Sequence, residues 1–316
     1  MLKDMLNDML NDICITIDVD PDGLSGKSIN RNAQTFDSFH KIKDDFSSFL
    51  FSKIKHDIKL TWFVRIDEQI KINYGHYLYL IEDSLAFWEK TIQQNHEIAW
   101  HPHLYKIKNN TVIDILTDEI EIHDTICSLW QIINNNNIDL KTFRNGEGWM
   151  TTSLINLLEK LNIQTDSTAI SGREVKDCMN KNWINTPNHF YYPNIIDCKK
   201  HGLKRSIIEL PMNSWQFKTS YDSESRIRYI NPAIHTHYFK QGLDYINQNW
   251  EIYKNIDTWV FISHPDEIAA TKNENLLYAN DINVYCENLH LFQYFLQNKN
   301  IDISYNTINE ATKKYR

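Results

Sequence analysis

Two histidines flank a proline near residue 100, directly after a short apolar run. The run 98–100 reads Ile-Ala-Trp and leads into His101, Pro102 and His103, and a run of this length is consistent with a buried strand. A proline has no N–H to donate to a strand ladder, so both imidazoles are predicted to lie on a loop beyond the strand's C-terminal end. Neutral imidazole is the commonest side-chain ligand for a transition metal. Spacing alone leaves a metal site and two solvated loop histidines as equal alternatives.

Two aspartates, one residue apart, follow the first predicted strand, 13–17. Of two such carboxylates, one can bind a cation while the other remains a base near it. Asp20 with His101 and His103 would form a one-carboxylate, two-histidine site with open positions, which suits a catalytic Zn²⁺, with Co²⁺, Ni²⁺ or Mn²⁺ as alternatives. Asp18 would then accept a proton from a water molecule. The competing interpretation is that Asp18 only shapes a turn.

Ionisable side chains also follow several later strands of the predicted series, namely Arg65, Arg144, Asp166 and His264. In a parallel barrel these strand ends converge on the rim that carries the active site. His264 is predicted to protonate a leaving amine, and Arg144 to keep Asp18 ionised, because a nearby cation lowers the pKa of a carboxylate. The alternatives are a structural ion pair for Arg144 and a helix start for His264.

The spacing of apolar residues predicts alternating strands and helices along the whole chain. Strands are expected at 13–17, 58–64, 98–100, 140–143, 163–165, 206–210, 233–239, 259–263 and 301–305. Helices are expected at 34–51, 74–94, 112–133, 152–161, 242–253, 276–297 and 307–315, after an amphipathic lead-in at 1–12. This alternation indicates an α/β fold with a parallel sheet, and seven or eight such units favour a barrel. We expect one domain over 1–316, with residues 171–205 as a loop elaboration.

Composition limits the partners and the compartment. Net charge is −8, with 33 Lys and Arg against 41 Asp and Glu, which argues against nucleic acid or an anionic membrane surface as the partner. Five scattered cysteines without a Cys-x-x-Cys pair fit a reducing compartment. No apolar run approaches a signal-peptide core or a membrane span. The chain is therefore predicted to be cytoplasmic, with a small-molecule substrate.

Taken in order, these motifs resemble the metal-dependent polysaccharide deacetylases, the chitooligosaccharide-deacetylase homology domain of carbohydrate esterases. Residues 16–20 (TIDVD) are similar to the family's opening strand and aspartate pair, and 95–101 (NHEIAWH) to its metal-binding motif. Residues 143–146 (FRNG) and 261–264 (FISH) are similar to its arginine and catalytic-histidine motifs, and 304–311 to its end. The resemblance implies a distorted (β/α)7 barrel that hydrolyses an N-acyl group with a metal ion.

The chain departs from the family pattern at four points, which makes it a divergent member. The family's second histidine follows the first by four residues, where this chain has Tyr105, so the third ligand is either His103 or Tyr105. Val19 separates the aspartates, and Asn145 stands where a proline is usual. Of the fourth motif, Asp-Ser-x-Asp-Trp, only residues 166–167 remain.

The expected reaction is removal of an acetyl or formyl group from a small intracellular amino-sugar-like substrate, such as an amino sugar, a nucleotide sugar or a modified metabolite. Predicted substrate contacts are Arg65, Trp149, Asp166, Glu209 and His235, and further aromatic or imidazole candidates are Trp183, Trp215, Tyr191, Tyr192 and His237. Core packing is an equal alternative for the aromatic residues. Two other functions stay open: a cyclic-amide or formamide hydrolase on the same fold, and a catalytically inactive carbohydrate-binding member.

Overall fold

The structure is a computed structural model that describes residues 9–22, 35–109, 111–269 and 276–316. Its strands are β1 (Met9–Val19), β2 (Leu60–Val64), β3 (Glu97–Trp100), β4 (Tyr105–Lys108), β5 (Thr111–Ile115), β6 (Thr142–Phe143), β7 (Thr165–Asp166), β8 (Ile208–Glu209), β9 (Ser214–Phe217), β10 (Arg226–Tyr229), β11 (Thr258–Ser263) and β12 (Ile301–Tyr305).

The α-helices of the described residues lie mostly between these strands. They are α1 (Asp37–Ile42), α2 (Phe46–Ile54), α3 (Glu68–Tyr74), α4 (Tyr79–Asp83), α5 (Leu85–Gln93), α6 (Glu119–Asn135), α7 (Thr152–Lys160), α8 (Thr236–Gln248), α9 (Trp250–Tyr253), α10 (Pro265–Ala269), α11 (Ile282–Gln297) and α12 (Ile308–Lys313). None of these described helices combines the length and the apolar character that a membrane crossing needs.

The main sheet confirms the predicted fold class. Seven strands pair in the order β11-β1-β2-β3-β6-β7-β8, every pair is parallel, and β12 adds a parallel pairing to β1. The sheet curls into an open half-barrel, a distorted (β/α)7 barrel. Between β8 and β11, irregular chain completes the wall: the Val260 N–H donates to the Asn213 side chain (2.6 Å) and the Ile262 N–H to the Ile230 carbonyl (3.0 Å).

One register line runs across the carboxyl ends of the strands. Val19 lies opposite Val64, Val64 opposite Trp100, and Trp100 opposite Phe143. On the other side of β1, Ile17 lies opposite Ser263. The first residue after each of these strands therefore lies beside the first residue after the neighbouring strand. This register gathers ionisable side chains from five strands in one place.

Side-chain alternation along β1 determines toward which face of the sheet each residue points. Ile13, Ile15 and Ile17 pack into one hydrophobic cluster, whereas Cys14 belongs to the other. Because successive strand residues point to opposite faces, Asp18 continues the face of Cys14. Strand β2 is buried at all of its positions and β11 likewise, as expected for parallel strands covered on both sides.

The single helix predicted at 112–133 is wrong. Residues 105–108 and 111–115 form the antiparallel hairpin of β4 and β5 instead, and only 119–135 is helical. Asn109 adopts a left-handed φ of 51° at the turn, which asparagine tolerates better than most residues. The β-branched Thr111, Val112 and Ile113 favour a strand after it.

The strand predicted at 233–239 is also wrong. Helix α8 begins at Thr236 with His235 as its N-cap residue, and extended pairing is limited to a bridge between Ile234 and Tyr278. The lead-in predicted at 1–12 differs too, because residues 9–12 belong to β1, while residues 1–8 lie outside the described part. Residues 171–205 contain one 3-10 turn, Met179–Lys181, and isolated bridges.

Candidate metal and catalytic site

The carboxyl ends of four strands surround a cavity of about 250 Å³. Its wall includes the ionisable side chains Asp18 and Asp20 from the end of β1, His101 and His103 after β3, Arg144 after β6, and His264 after β11. All six residues predicted to act in catalysis or metal binding therefore lie in one place. Their roles remain predictions.

Asp20, His101 and His103 offer three potential metal ligands to one point in space. The Nε2 atoms of the two histidines are 3.2 Å apart, and the Asp20 Oδ1 atom lies 3.8 Å from His101 Nε2 and 3.7 Å from His103 Nε2. Nitrogen and carboxylate donors of this kind suit Zn²⁺ and similar divalent ions. Among the described residues, this trio is the group that satisfies the spacing of a metal site.

Hydrogen bonds at the opposite ring nitrogens leave both Nε2 atoms as lone-pair donors. His101 Nδ1 lies 2.8 Å from the Arg144 carbonyl oxygen, which can only accept, so Nδ1 carries the proton. His103 Nδ1 lies 2.7 Å from the Tyr105 hydroxyl, which donates its own proton to Glu147 (3.0 Å) and so accepts from the ring. Two lone pairs facing each other repel unless a cation lies between them. The donor set therefore fits a divalent metal ion.

The position of His103 depends on its neighbours. A Cβ atom on Gly146 would lie 2.2 Å from the His103 ring, so this approach requires glycine. The backbone N–H of His103 donates to Asp67 Oδ2 (3.0 Å). The sequence interpretation did not identify Asp67, although it lies two residues after Arg65 at the end of the same strand.

Arg144 binds Asp18 and fixes one of its oxygens. The Nη1 atom of Arg144 lies 2.6 Å from Asp18 Oδ1 and 2.8 Å from the Thr16 hydroxyl, and its Nε donates to the Ser167 carbonyl (2.9 Å). The guanidinium carbon lies 3.9 Å from the centre of the Phe63 ring. The second oxygen, Asp18 Oδ2, faces His101 Nε2 at 3.8 Å. Asp18 thus has one oxygen held and the other directed toward the metal-ligand trio.

Arg65 supports Asp20 from below the cavity. Its guanidinium is fully buried and donates to Asp20 Oδ1 (2.9 Å), Asp67 Oδ2 (2.5 Å) and Gln69 (2.7 Å). Burial by itself would raise the pKa of Asp20, but the Arg65 guanidinium and the other cationic neighbours, including His264, outweigh it and hold that pKa well below its usual range. Asp20 is therefore ionised at neutral pH.

His264 faces the same carboxylate from the other side of the cavity. Its Nε2 lies 3.8 Å from Asp20 Oδ2, and its Nδ1 lies 3.1 Å from Glu267 Oε1. Burial opposes a charge on this imidazole, yet Glu267 and Asp20 raise the pKa of His264 well above its ordinary value. Glu267 also accepts from the His264 N–H (2.8 Å) and from Asn231 (2.7 Å). The sequence interpretation saw Glu267 only as a helix-start residue, although its position three residues after His264 could have identified it.

The predicted substrate contacts do not lie on the cavity wall. Arg65, Trp149, Asp166 and Glu209 are buried, and His235 lies at the start of α8 beside His237. Trp183, Trp215 and Tyr191 are also buried in the packing of the fold, and the Tyr192 hydroxyl donates to the carbonyl of Tyr315. A substrate-binding role for any of these residues stays a prediction without a contact to support it.

Comparison with known proteins gives a likeness in structure but none in sequence. No family model matches the chain, and no curated protein matches it. A protein inferred to be a glycoside hydrolase or deacetylase, from Parabacteroides distasonis, superimposes with a TM-score of 0.58 at 12% identity, over 98% of this chain and 72% of that one. A protein inferred to be a polysaccharide deacetylase, from Mycobacterium smegmatis, does so with a TM-score of 0.50 at 13% identity, over 98% and 91%. The chain therefore has the same fold as these two proteins, at 12–13% sequence identity.

Proposed function

We propose that this protein is a metal-dependent hydrolase that removes an acetyl or formyl group from the nitrogen of a small amino-sugar-like substrate. One observation carries the proposal: two imidazole lone pairs and a carboxylate oxygen converge within 4.8 Å of one another. A proton acceptor, Asp18, and a proton donor, His264, stand on the same cavity. The deacetylase fold of the structural relatives supports the same reaction class.

Asp20, His101 and His103 would hold the metal ion, and zinc is the first choice for two imidazoles and one carboxylate. When bound, such an ion polarises a carbonyl group and acidifies a water molecule. Asp18 Oδ1 is engaged with Arg144 at 2.6 Å, so Oδ2 is the atom that accepts the water's proton. Arg144 orients that carboxylate through this hydrogen bond.

His264 supplies the proton that the leaving amine needs. Its Nδ1 is held by Glu267 at 3.1 Å, which leaves Nε2 as the proton donor on the cavity side. Glu267 also favours the imidazolium form, which is the form able to donate. One carboxylate thus removes a proton on one side of the substrate carbonyl and one imidazolium delivers a proton on the other, so the chain carries both partners of general acid–base catalysis.

We also propose that the protein works in the cytoplasm on a small molecule. All five cysteines are free thiols, which fits a reducing compartment. The cavity of about 250 Å³ is lower than the usual size of a drug-sized ligand site, roughly 300–1,000 Å³. It therefore suits a single small ring with its acyl group better than a long polymer.

The test combines elemental analysis with an assay for acyl release. We expect one equivalent of metal in the purified protein, and its loss in both Asp20→Ala and His101→Ala. His237→Ala is the matched control, because His237 is an exposed histidine away from the cavity. The metal-loaded protein should release acetate or formate from members of a panel of N-acetyl and N-formyl amino sugars.

Two results would contradict the proposal. If the protein holds no stoichiometric metal and gains no thermal stability with Zn²⁺ or Co²⁺, the trio is not a metal site. If metal binds but nothing is released from the panel, the sugar-deacylase assignment fails.

A further inference from the structure

A second cavity adjoins the catalytic one. Its volume is about 210 Å³, and Ile170, Arg173 and Tyr229 line both cavities. The hydroxyl of Tyr278, in the second cavity, hydrogen-bonds Glu267, the carboxylate that holds the catalytic His264 candidate. A molecule whose acyl group lies at the metal-ligand trio can therefore extend past Arg173 into this second space.

Arg173 is a cation without a counter-charge on the boundary between the two cavities. The other charged groups nearby are paired: Asp18 with Arg144, Glu147 with Lys181 at 2.9 Å, and Arg228 with Asp222 at 2.7 Å. Within the ranges that the structure describes, no carboxylate forms an ion pair with Arg173. Its side chain is half-buried, so its charge is partly removed from water without protein compensation.

Two hydrogen bonds fix the backbone of Arg173. The Arg173 N–H donates to the Ile170 carbonyl (3.0 Å), and the Trp183 N–H donates to the Arg173 carbonyl (2.7 Å). The indole N–H of Trp183 in turn donates to the Gly148 carbonyl (2.8 Å), and the Arg173 Nη1 atom packs against Gly148. The long 171–205 segment thus delivers one arginine to the cavity boundary and ties it to the loop that follows Arg144.

We propose that the substrate carries an anionic group, a carboxylate or a phosphate, and that this group binds Arg173 in the second cavity. This inference rests on the proposed deacylation and names the class of substrate. A planar guanidinium matches carboxylate and phosphate oxygens through two parallel hydrogen bonds. A half-buried cation that lacks a protein partner gains more binding free energy from an anionic ligand than a cation that is already paired, such as Arg228. The favoured substrate is then an N-acylated amino sugar with an acidic substituent.

The kinetic test compares three N-acetyl sugars: N-acetylglucosamine, N-acetylglucosamine 6-phosphate and N-acetylmuramic acid. We expect kcat/KM to be higher for at least one of the acidic sugars than for the neutral one. Arg173→Met should lower kcat/KM for that acidic sugar by about 10- to 100-fold, the range of a charge-assisted hydrogen bond. Most of the loss should appear in KM, and the neutral sugar should be nearly unaffected. Arg173→Lys should restore part of the difference.

Lys176→Met is the matched control, because Lys176 lies in the same segment with its side chain 83% exposed. It should change none of these values. Equal kcat/KM for acidic and neutral sugars in the unmodified protein, or equal losses on both in Arg173→Met, would overturn the proposal. A preference for the phosphate or for the carboxylate sugar supports it and identifies the anion.

A binding experiment separates this inference from the proposed reaction. Calorimetry with glucose, glucuronate and glucose 6-phosphate requires no hydrolysis. We expect one acidic sugar to bind more tightly than glucose, and the difference to disappear in Arg173→Met. If that holds while no N-acyl sugar is cleaved, the anion site stands and the hydrolase assignment fails. If cleavage proceeds but no acidic sugar is preferred in binding or turnover, the anion site fails alone.

Discussion

Two pairs of carboxylates stand at strand ends of the same sheet in opposite electrostatic settings. Asp18 and Asp20 each contact a buried arginine, Arg144 at 2.6 Å and Arg65 at 2.9 Å. For Asp20 the effect appears in its pKa: burial opposes the charge, but the surrounding cations hold the pKa well below its usual range.

Asp166 and Glu209 form the second pair, two and three strands further along the sheet from β3. Their hydrogen-bond donors are neutral groups: Asp166 Oδ1 accepts from the Thr168 hydroxyl (2.6 Å), and Glu209 Oε1 accepts from the Ala169 N–H (2.9 Å). Burial raises the pKa of both, and the charge of Asp166 raises that of Glu209 further, well above its usual range. Burial therefore favours a proton on the Asp166–Glu209 pair.

On the proposed function, one sheet carries both reactive and structural acids, and the difference between them lies in the neighbouring cations. Where a guanidinium contacts the carboxylate, it fixes one carboxylate oxygen and leaves the other free for a proton or a metal ion. Where none does, two acids share a proton and serve packing. Four substitutions test this distinction.

Asp18→Asn should have the largest effect. Removing the proton acceptor should lower turnover by about 10²- to 10⁴-fold, while metal content stays at the unmodified level, because Asp18 is not one of the three proposed ligands. Glu209→Gln is the control, since it changes an equally buried acid outside the cavity and should leave turnover nearly unchanged. Initial rates of acyl release and elemental analysis measure both. Equal losses of turnover in the two variants would contradict the distinction between the two carboxylate pairs.

Arg144→Met should destabilise the fold by about 3–5 kcal/mol, the usual consequence of leaving a buried charge unpaired. Denaturant unfolding measures the change. Lys71→Met breaks an exposed pair with Glu68 and should cost about 0–1 kcal/mol. The double variant Asp18→Asn with Arg144→Met should recover part of the loss, because the unpaired charge is gone. No recovery would mean that Arg144 acts through packing and not through charge.

Gly146→Ala should weaken metal binding by about 10- to 100-fold, as other changes that shift a metal-binding histidine do. The new Cβ would overlap the His103 ring at 2.2 Å and displace it from Asp20. Competition with a chelator measures the affinity. Gly75→Ala is the control: Gly75 has a left-handed φ of 97° but open space around it, so that variant should lose stability and keep its metal affinity. Unchanged affinity in Gly146→Ala would exclude His103 as a ligand.

Glu209→Gln should have the smallest effect, on the pH dependence of stability. The pKa of Glu209 is raised in the folded protein, so the folded state binds more protons than the unfolded one. The stability that Glu209 contributes to the fold is then fully present below the ordinary glutamate pKa and is lost as the pH rises through the raised pKa. Because glutamine does not titrate, the unfolding free energy of the variant should fall less between acidic and neutral pH than that of the unmodified protein. The difference should be about 1 kcal/mol, the value of one proton over one pH unit. Parallel curves for the two proteins would contradict the shared proton.

Much of the site was predictable because its residues follow apolar runs. Asp18, His101 and Arg144 each stand where a short buried strand ends, and that pattern is local in the sequence. The residues that hold these side chains were less predictable. Glu267 had a local signal, its spacing of three residues from His264, whereas only the folded chain shows that Asp67 holds His103.

The sequence by itself determined the residue types at the strand ends and the α/β alternation, because hydrophobic periodicity and turn residues act over a few positions. It misassigned 112–133 and 233–239, where tertiary contacts override such local signals. Only the tertiary structure decided which strand ends are neighbours. The register that places Val19 beside Val64, and Trp100 beside Phe143, joins residues more than 40 positions apart, and sheet order alone fixes that pairing. The arginine that contacts each of Asp18 and Asp20 follows from that register.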